Sequence, residues 1–169
     1  MWRNDYFCGE ISKISTFLMR FIGDFPAKAD AKGRVFLPAA FRKVLEAEKE
    51  ERLVLRTDLF QKCLVIYPES LWNEMLDEMR TRLNRWNGEH QMVMRRFVAD
   101  AEIIELDSNG RILLNKRKKE HAGIKQEVRF LAVDDRIEIW DKAVCDEMLR
   151  GCSNDEENLG QSIASLMGF

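Results

Sequence analysis

The chain has 169 residues, 46% hydrophobic and 33% charged, with 3 prolines and 9 glycines; this balance excludes a fibrous or disordered polypeptide and suits one ordinary domain or two small ones sharing a core. The formal charge of −2 is unevenly spread, because Asp134 to Glu157 holds nine acidic and three basic side chains, which leaves the preceding stretch mildly basic. Cys8, Cys63, Cys145 and Cys152 form no C-x-x-C pair and His90 and His121 lie far from them, so no metal site is expected, free thiols suit a reducing cytoplasm, and the apolar run Ile14 to Ile22, broken by Arg20, is too short for a membrane span.

Residues 1–18 show no domain pattern of their own, and the reading is a disordered extension with Met19 as the native start. A strand is predicted from Gly23 to Ala29, leading into Asp30-Ala-Lys-Gly33, with Asp first and Gly fourth as in a type I β-turn. A second strand, Arg34 to Leu37, precedes Pro38, which fits the first turn of a helix over Ala39 to Glu51. Leu53 to Arg56 and Cys63 to Tyr67 read as strands. From Glu69 to Trp86, residues Leu71, Trp72, Met75, Leu76, Met79, Leu83 and Trp86 form an apolar stripe at helical spacing, expected to pack as core between modules. Gly88 is read as a separator before a helix over His90 to Val98, followed by a strand over Ala101 to Leu106. A last helix spans Asp141 to Arg150, and the tail from Gly151 is expected to be polar and frayed.

The chain repeats itself. Asp30-Ala-Lys-Gly33-Arg34-Val35-Phe36-Leu37 recurs 77 residues on as Asp107-Ser-Asn-Gly110-Arg111-Ile112-Leu113-Leu114. Leu64-Val-Ile-Tyr67 and Trp72-Asn-Glu-Met-Leu76 recur 73 residues on as Ile137-Glu-Ile-Trp140 and Cys145-Asp-Glu-Met-Leu149. The small drift between the two offsets is what a loop absorbs. Each unit is thus β, β, α, β, β, followed by a helix.

The paired D-x-x-G-R turns, each on a hairpin before a helix, resemble the AbrB-like swapped-hairpin fold. With both copies in one chain, and with Met19-Arg-Phe-Ile-Gly23, Leu64-x-x-Tyr-Pro68-x-x-x-Trp72, Arg95-Arg-Phe97 and Ile137-Glu-Ile-Trp140, the stretch from Met19 to Arg150 is similar to the MraZ family of bacterial transcriptional regulators with tandem SpoVT/AbrB-like domains. The resemblance implies an α+β, β-rich fold, in which two tandem modules form an intrachain pseudo-dimeric barrel with flanking helices. The expected division is 1–18 extension, 23–70 first module, 71–98 helical connector, 99–142 second module and 143–169 C-terminal helix and tail. It also implies a cytoplasmic, nucleoid-associated regulator that binds direct repeats in double-stranded promoter DNA of the division and cell-wall gene cluster, its own promoter included. Such a protein usually represses, and acts as a ring-shaped homo-oligomer without cofactor, small-molecule substrate or membrane. The sequence departs from the family pattern at Asn115, where the second repeat commonly has proline, and in its N-terminal extension.

The family's DNA-contacting arginine corresponds to Arg34, and Arg111 holds the equivalent place. The first turn offers Lys32, Gly33 and Arg34 to DNA, because glycine permits close approach and the cations reach outward. Asp30 and Arg34 also suit an ion pair that holds the turn; with the resemblance, DNA contact is favoured, with Asp30, and Asp107 in the second turn, orienting the arginines. Lys116, Arg117, Lys118 and Lys119 open the helix after the second hairpin and suit phosphate contacts or a solvated face, and Arg42 and Lys43 match them in the first. As a hydrolase pair, Asp30 and Asp107 lack a nucleophile, a metal set or a phosphate loop beside them, so no enzyme is expected. An antitoxin-like AbrB-fold interaction protein is the alternative. Trp72, Trp86, Phe97 and Trp140 are expected to be buried, within the chain or between copies.

Overall fold

The computed structural model describes residues 19–153 and 156–168, so the expectation for residues 1–18 lies outside the described residues. The elements are β1 (Asp24–Lys28), β2 (Arg34–Phe36), α1 (Ala39–Ala47), β3 (Arg52–Thr57), β4 (Leu64–Pro68), α2 (Glu69–Arg82), α3 (Gly88–Ala99), β5 (Glu102–Glu105), β6 (Arg111–Leu113), α4 (Lys116–Ala122), β7 (Glu127–Val133), β8 (Arg136–Asp141), α5 (Lys142–Ser153) and α6 (Glu156–Met167). The architecture is mixed α+β, with mostly antiparallel strands.

Six strands form one sheet in the order β1-β7-β8-β4-β3-β5, and β2 and β6 form a separate two-stranded ribbon. The two halves of the chain exchange partners. Strand β1 of the first half lies along β7 of the second, with Phe25 opposite Phe130, and β5 of the second lies along β3 of the first, with Leu53 opposite Ile104. The ribbon also takes one strand from each half.

Alternation along the strands sorts the side chains by face. One face carries Leu53, Leu55, Leu64, Ile66, Val128, Phe130, Ile137 and Ile139, which form one buried cluster with Val35 and Ile112 of the ribbon and Phe41 and Leu45 of α1. Phe130 and Phe41 are fully buried, and each such side chain contributes about 2 kcal/mol of transfer free energy. On the opposite face Val65, Trp140 and Cys63 pack with Cys145 of α5. Burial there pushes the Cys145 thiol up to about 11, as expected for a thiol used as an apolar side chain.

Several elements depart from expectation. Helix α1 stops at Ala47 because Lys49 takes a left-handed backbone, φ 56°, and the Glu50 N–H turns back to the Leu45 carbonyl. Helix α3 begins at Gly88, which lies inside it, since the Asn87 side chain accepts from the N–H groups of Glu89 and His90. The apolar stripe of α2 is core only at its start, where Leu71 and Trp72 are buried; Met75, Leu76, Met79 and Leu83 are half-buried and Trp86 is 88% exposed. Trp72 stacks on Phe97 of α3 at 4.9 Å, and the buried Arg56 guanidinium lies over Phe97 at 4.3 Å. That stack anchors the base of the α2/α3 hairpin while its tip stays open. Beyond Gly151 the chain remains helical through α5 and then α6, in place of the frayed tail expected. Among the described residues no helix is long and apolar enough to cross a membrane.

Candidate nucleic-acid interface

The ribbon is the center of the site. In its register Arg34 lies opposite Leu113, Val35 opposite Ile112 and Phe36 opposite Arg111. Val35 and Ile112 point into the core, so the two-residue period turns Arg34, Phe36, Arg111 and Leu113 to the other side. Phe36 and Leu113 are both more than half exposed there. The sequence reading did not single out these two residues; the signal was available, since each D-x-x-G-R turn runs into three apolar residues of which a strand buries only alternate ones.

Each arginine is aimed by the aspartate of its own turn. The Asp30 carbonyl accepts from the Gly33 N–H at 2.9 Å. One Asp30 carboxylate oxygen, Oδ1, accepts from the Lys32 and Arg34 N–H groups, both at 2.9 Å, and Oδ2 accepts from Arg34 Nε at 2.7 Å. Asp107 repeats the set, accepting from the Asn109 and Arg111 N–H groups at 2.9 and 3.0 Å and from Arg111 Nε at 2.8 Å. The backbone N–H of the arginine does most to hold each carboxyl below the ordinary carboxylate range; burial opposes it, and the guanidinium and the N–H two residues on add to the lowering. A carboxylate so occupied is a poor proton donor at neutral pH, which disfavors the hydrolase pair on chemical grounds. The two sites are not equal: the Arg34 side chain is 36% exposed and that of Arg111 20%, with the Arg111 guanidinium 5.7 Å from the center of the Phe36 ring.

Strand exchange places each turn beside the helix of the opposite half. Gly33, with φ 84°, sits so close to the Leu114 carbonyl that a Cβ would come within 2.5 Å of that oxygen, and its own carbonyl accepts from the Leu114 N–H at 2.9 Å. Gly110, φ 77°, instead faces the end of the Arg42 side chain, whose Nε donates to the Leu37 carbonyl at 3.1 Å. Gly33→Ala should therefore lower stability by more than about 2 kcal/mol, a left-handed backbone and a backbone collision together, and Gly110→Ala by about 1 kcal/mol, because Arg42 can move aside. Urea denaturation of both variants checks the order; equal losses would show that the backbone collision at Gly33 is not felt.

The same exchange rearranges the lysines. Sequence proximity pairs Lys116 to Lys119 with the second turn, but the structure places Lys116 and Lys119 beside the first, where they line a groove of about 520 Å3 with Lys32, Gly33, Glu120 and Ile124. Lys116 is 90% exposed in its side chain, Arg117 is exposed and 3.6 Å from Asp100, and Lys43 is exposed on α1. Lys118 departs from the expected outward run. It is 5% exposed, and its Nζ lies 3.2 Å from Asp100 Oδ1 and donates to the Asp100 carbonyl. The cause is the helix start: the Asn115 side chain accepts from the Lys118 N–H at 2.9 Å, a cap that turns the third helical residue toward the sheet. Asn115 thus caps the helix at the position where the family commonly has proline.

Among the described residues no cluster of three or more His, Cys, Asp or Glu is arranged to hold a metal. The profile of a family described as "MraZ protein, putative antitoxin-like" matches residues 21–96 and again 97–158. A protein of Phocaeicola vulgatus named transcriptional regulator MraZ is 52% identical over 89% of this chain and 95% of its own length. Proteins of the same name from Bacteroides fragilis and Christiangramia forsetii are 57% identical over 74% of this chain and 79% of theirs, and 34% identical over 86% and 94%. With the repeated turns, the exchanged strands and matches of this extent, the chain belongs to the MraZ family.

Proposed function

We propose that this chain is a sequence-specific DNA-binding transcriptional regulator that reads promoter DNA with the β2/β6 ribbon and its two turns. The observation that carries the reading is a two-stranded ribbon with a braced arginine from each half on its outer side. A ribbon of this width fits a major groove, where an arginine fork matches the O6 and N7 of guanine. Lys32, Lys116 and Lys119 flank the first turn and supply phosphate contacts, joined by Lys43, Arg42 and Arg117 at the margins.

The exchange of strands between the halves supports two AbrB-like swapped-hairpin modules closing into one pseudo-dimeric barrel, at 23–70 and 99–142. The regulator works as a ring-shaped homo-oligomer, so that several ribbons meet several direct repeats at once. Its target is the promoter of the division and cell-wall gene cluster that includes its own gene, which it represses in the nucleoid. No cofactor takes part.

The test is titration of the full chain with DNA from upstream of its own gene, at two salt concentrations, against scrambled DNA. Expected are preferential binding of the upstream DNA and an affinity that falls with salt by roughly 0.9 log unit per log unit for each phosphate contact. Equal affinity for both DNAs would remove the sequence-specific reading.

A further inference from the structure

Among the described residues several apolar surfaces stay uncovered, and two of them lie in segments of opposite charge in the sequence. The first is a cleft of about 330 Å3 near the junction of α2 and α3, where Leu83 and Met94 are flanked by Arg80, Arg85, Arg95 and His90. Its shape is fixed locally. His90 Nδ1 accepts from the Asn84 N–H at 2.9 Å, and the Gln91 side chain donates to the Arg85 carbonyl at 2.6 Å. Trp86 stands beside it, almost fully exposed.

The second surface is α6. Leu159, Ile163 and Leu166 recur at i, i+4 and i+7, and they are 62%, 52% and 86% exposed, with Met167 exposed alongside. That spacing presents one stripe of the kind that lies in a groove between helices. From Gly151 onward the sequence has three acidic residues, Asp155, Glu156 and Glu157, and no basic one. The cleft has three arginines and no acidic residue in its lining.

We infer that α6 of one copy of the chain docks its Leu159, Ile163 and Leu166 stripe into the arginine-rimmed α2/α3 cleft of a second copy. The inference rests on the homo-oligomer reading above and names a contact that builds it. Charge selects the occupant: an apolar helix entered in sequence through Asp155, Glu156 and Glu157 meets a basic, apolar cleft, and both belong to every copy of the chain. Burying the stripe removes apolar area that would otherwise remain in water, while the opposite charges fix the polarity and register of docking. The lining of the cleft includes no residue of the β2/β6 ribbon, so docking does not cover the ribbon residues through the cleft itself.

Light scattering of the full chain at micromolar concentration should give a mass above that of one copy. Ile163→Glu and Arg85→Glu, each outside the buried core, should each lower that mass while the melting temperature of the core stays unchanged, and the association constant should fall at least about tenfold for Ile163→Glu. Leu83→Cys combined with Leu166→Cys, in a background with Cys8→Ser and Cys152→Ser, should form a disulfide between chains on mild oxidation. An oligomer whose mass is indifferent to Ile163→Glu, or a disulfide formed within one chain, overturns the docking and leaves the oligomer reading standing. A parent protein of single-chain mass overturns both. Co-purification of α6 with a different protein while the oligomer is indifferent to Ile163→Glu also overturns docking between copies.

Discussion

Arg34→Ala is expected to weaken binding to the chain's own upstream DNA by about 5- to 150-fold for each ribbon engaged, corresponding to about 1–3 kcal/mol for a lost bidentate base contact. Where several ribbons of an oligomer bind together, the loss multiplies across them. Stability should hardly change, because Arg34 and Asp30 form a part-exposed pair within a turn and such pairs contribute less than about 1 kcal/mol. Arg34→Lys separates two modes of contact: lysine keeps a phosphate contact but cannot reproduce the fork. Asp30→Asn should lie between parent and Arg34→Ala in affinity, since the arginine remains but loses its ionic brace. Arg111→Ala should cost less affinity and more stability than Arg34→Ala, because the Arg111 side chain is less exposed and lies over Phe36. Fluorescence anisotropy with melting curves on the same samples decides. Parent-like affinity for Arg34→Ala would assign the arginine to the turn alone and move the DNA surface to Lys116 and Lys119.

What was legible in the sequence is what is decided locally. The turn at Asp30 to Gly33 follows from a carboxylate that can accept from N–H groups two and four residues on and from a glycine that takes a left-handed backbone. Those requirements lie within five residues, and so they recur intact at Asp107 to Gly110. The start of α1 after Pro38 and the cap at Asn115 are local in the same way. The strand alternation that buries Val35 and Ile112 was also there to read, although the outward Phe36 and Leu113 went unremarked.

What was not legible depends on partners distant in sequence. Nothing near Lys119 says that it sits beside Gly33 rather than Gly110; that follows only once β2 and β6 pair antiparallel and bring the end of one beside the start of the other. The stripe on α2 has the period of a core helix along its whole length, yet the sheet it packs on reaches only its first turn. Beyond that point the same period falls on half-buried and exposed surface. The tail from Gly151 reads as polar and frayed because Asp155, Glu156 and Glu157 open it, and the Leu159, Ile163 and Leu166 stripe that follows went unread.

Lys118→Met should destabilize the folded chain by about 3 kcal/mol and leave DNA affinity of the folded protein unchanged. The lysine is the one member of the 116–119 run turned inward, and its charge is matched by Asp100, whose carboxylate also accepts from the Thr57 N–H at 2.7 Å and from the Thr57 hydroxyl. Asp100 closes α3, Thr57 ends β3 and Lys118 lies in α4, so the cluster ties the first half of the chain to the second. Removing the ammonium leaves a carboxylate, only 18% exposed, without its nearest countercharge. Breaking a buried pair in this way costs about 3–5 kcal/mol, and the remaining exposure together with the Thr57 hydrogen bonds puts the loss at the lower end. Asp100→Asn added to Lys118→Met should recover part of it, because the carboxylate left with only the exposed Arg117, 3.6 Å away, is gone while the amide oxygen still accepts from Thr57. The acid side gives an independent measurement. Burial raises the Asp100 carboxyl, but the Thr57 hydrogen bonds and Lys118 outweigh it and hold the group below its ordinary value. A carboxyl depressed in the folded state contributes stability that is complete above its unfolded pKa and is lost as pH falls through the folded one. Without Lys118 the folded pKa rises toward the unfolded one, so urea denaturation from neutral pH down to about pH 3 should show a smaller acid-dependent loss, completed at higher pH than in the parent. If Lys118→Met is as stable as the parent and binds DNA more weakly, the side chain swings outward in solution and belongs to the phosphate contacts with Lys116 and Lys119.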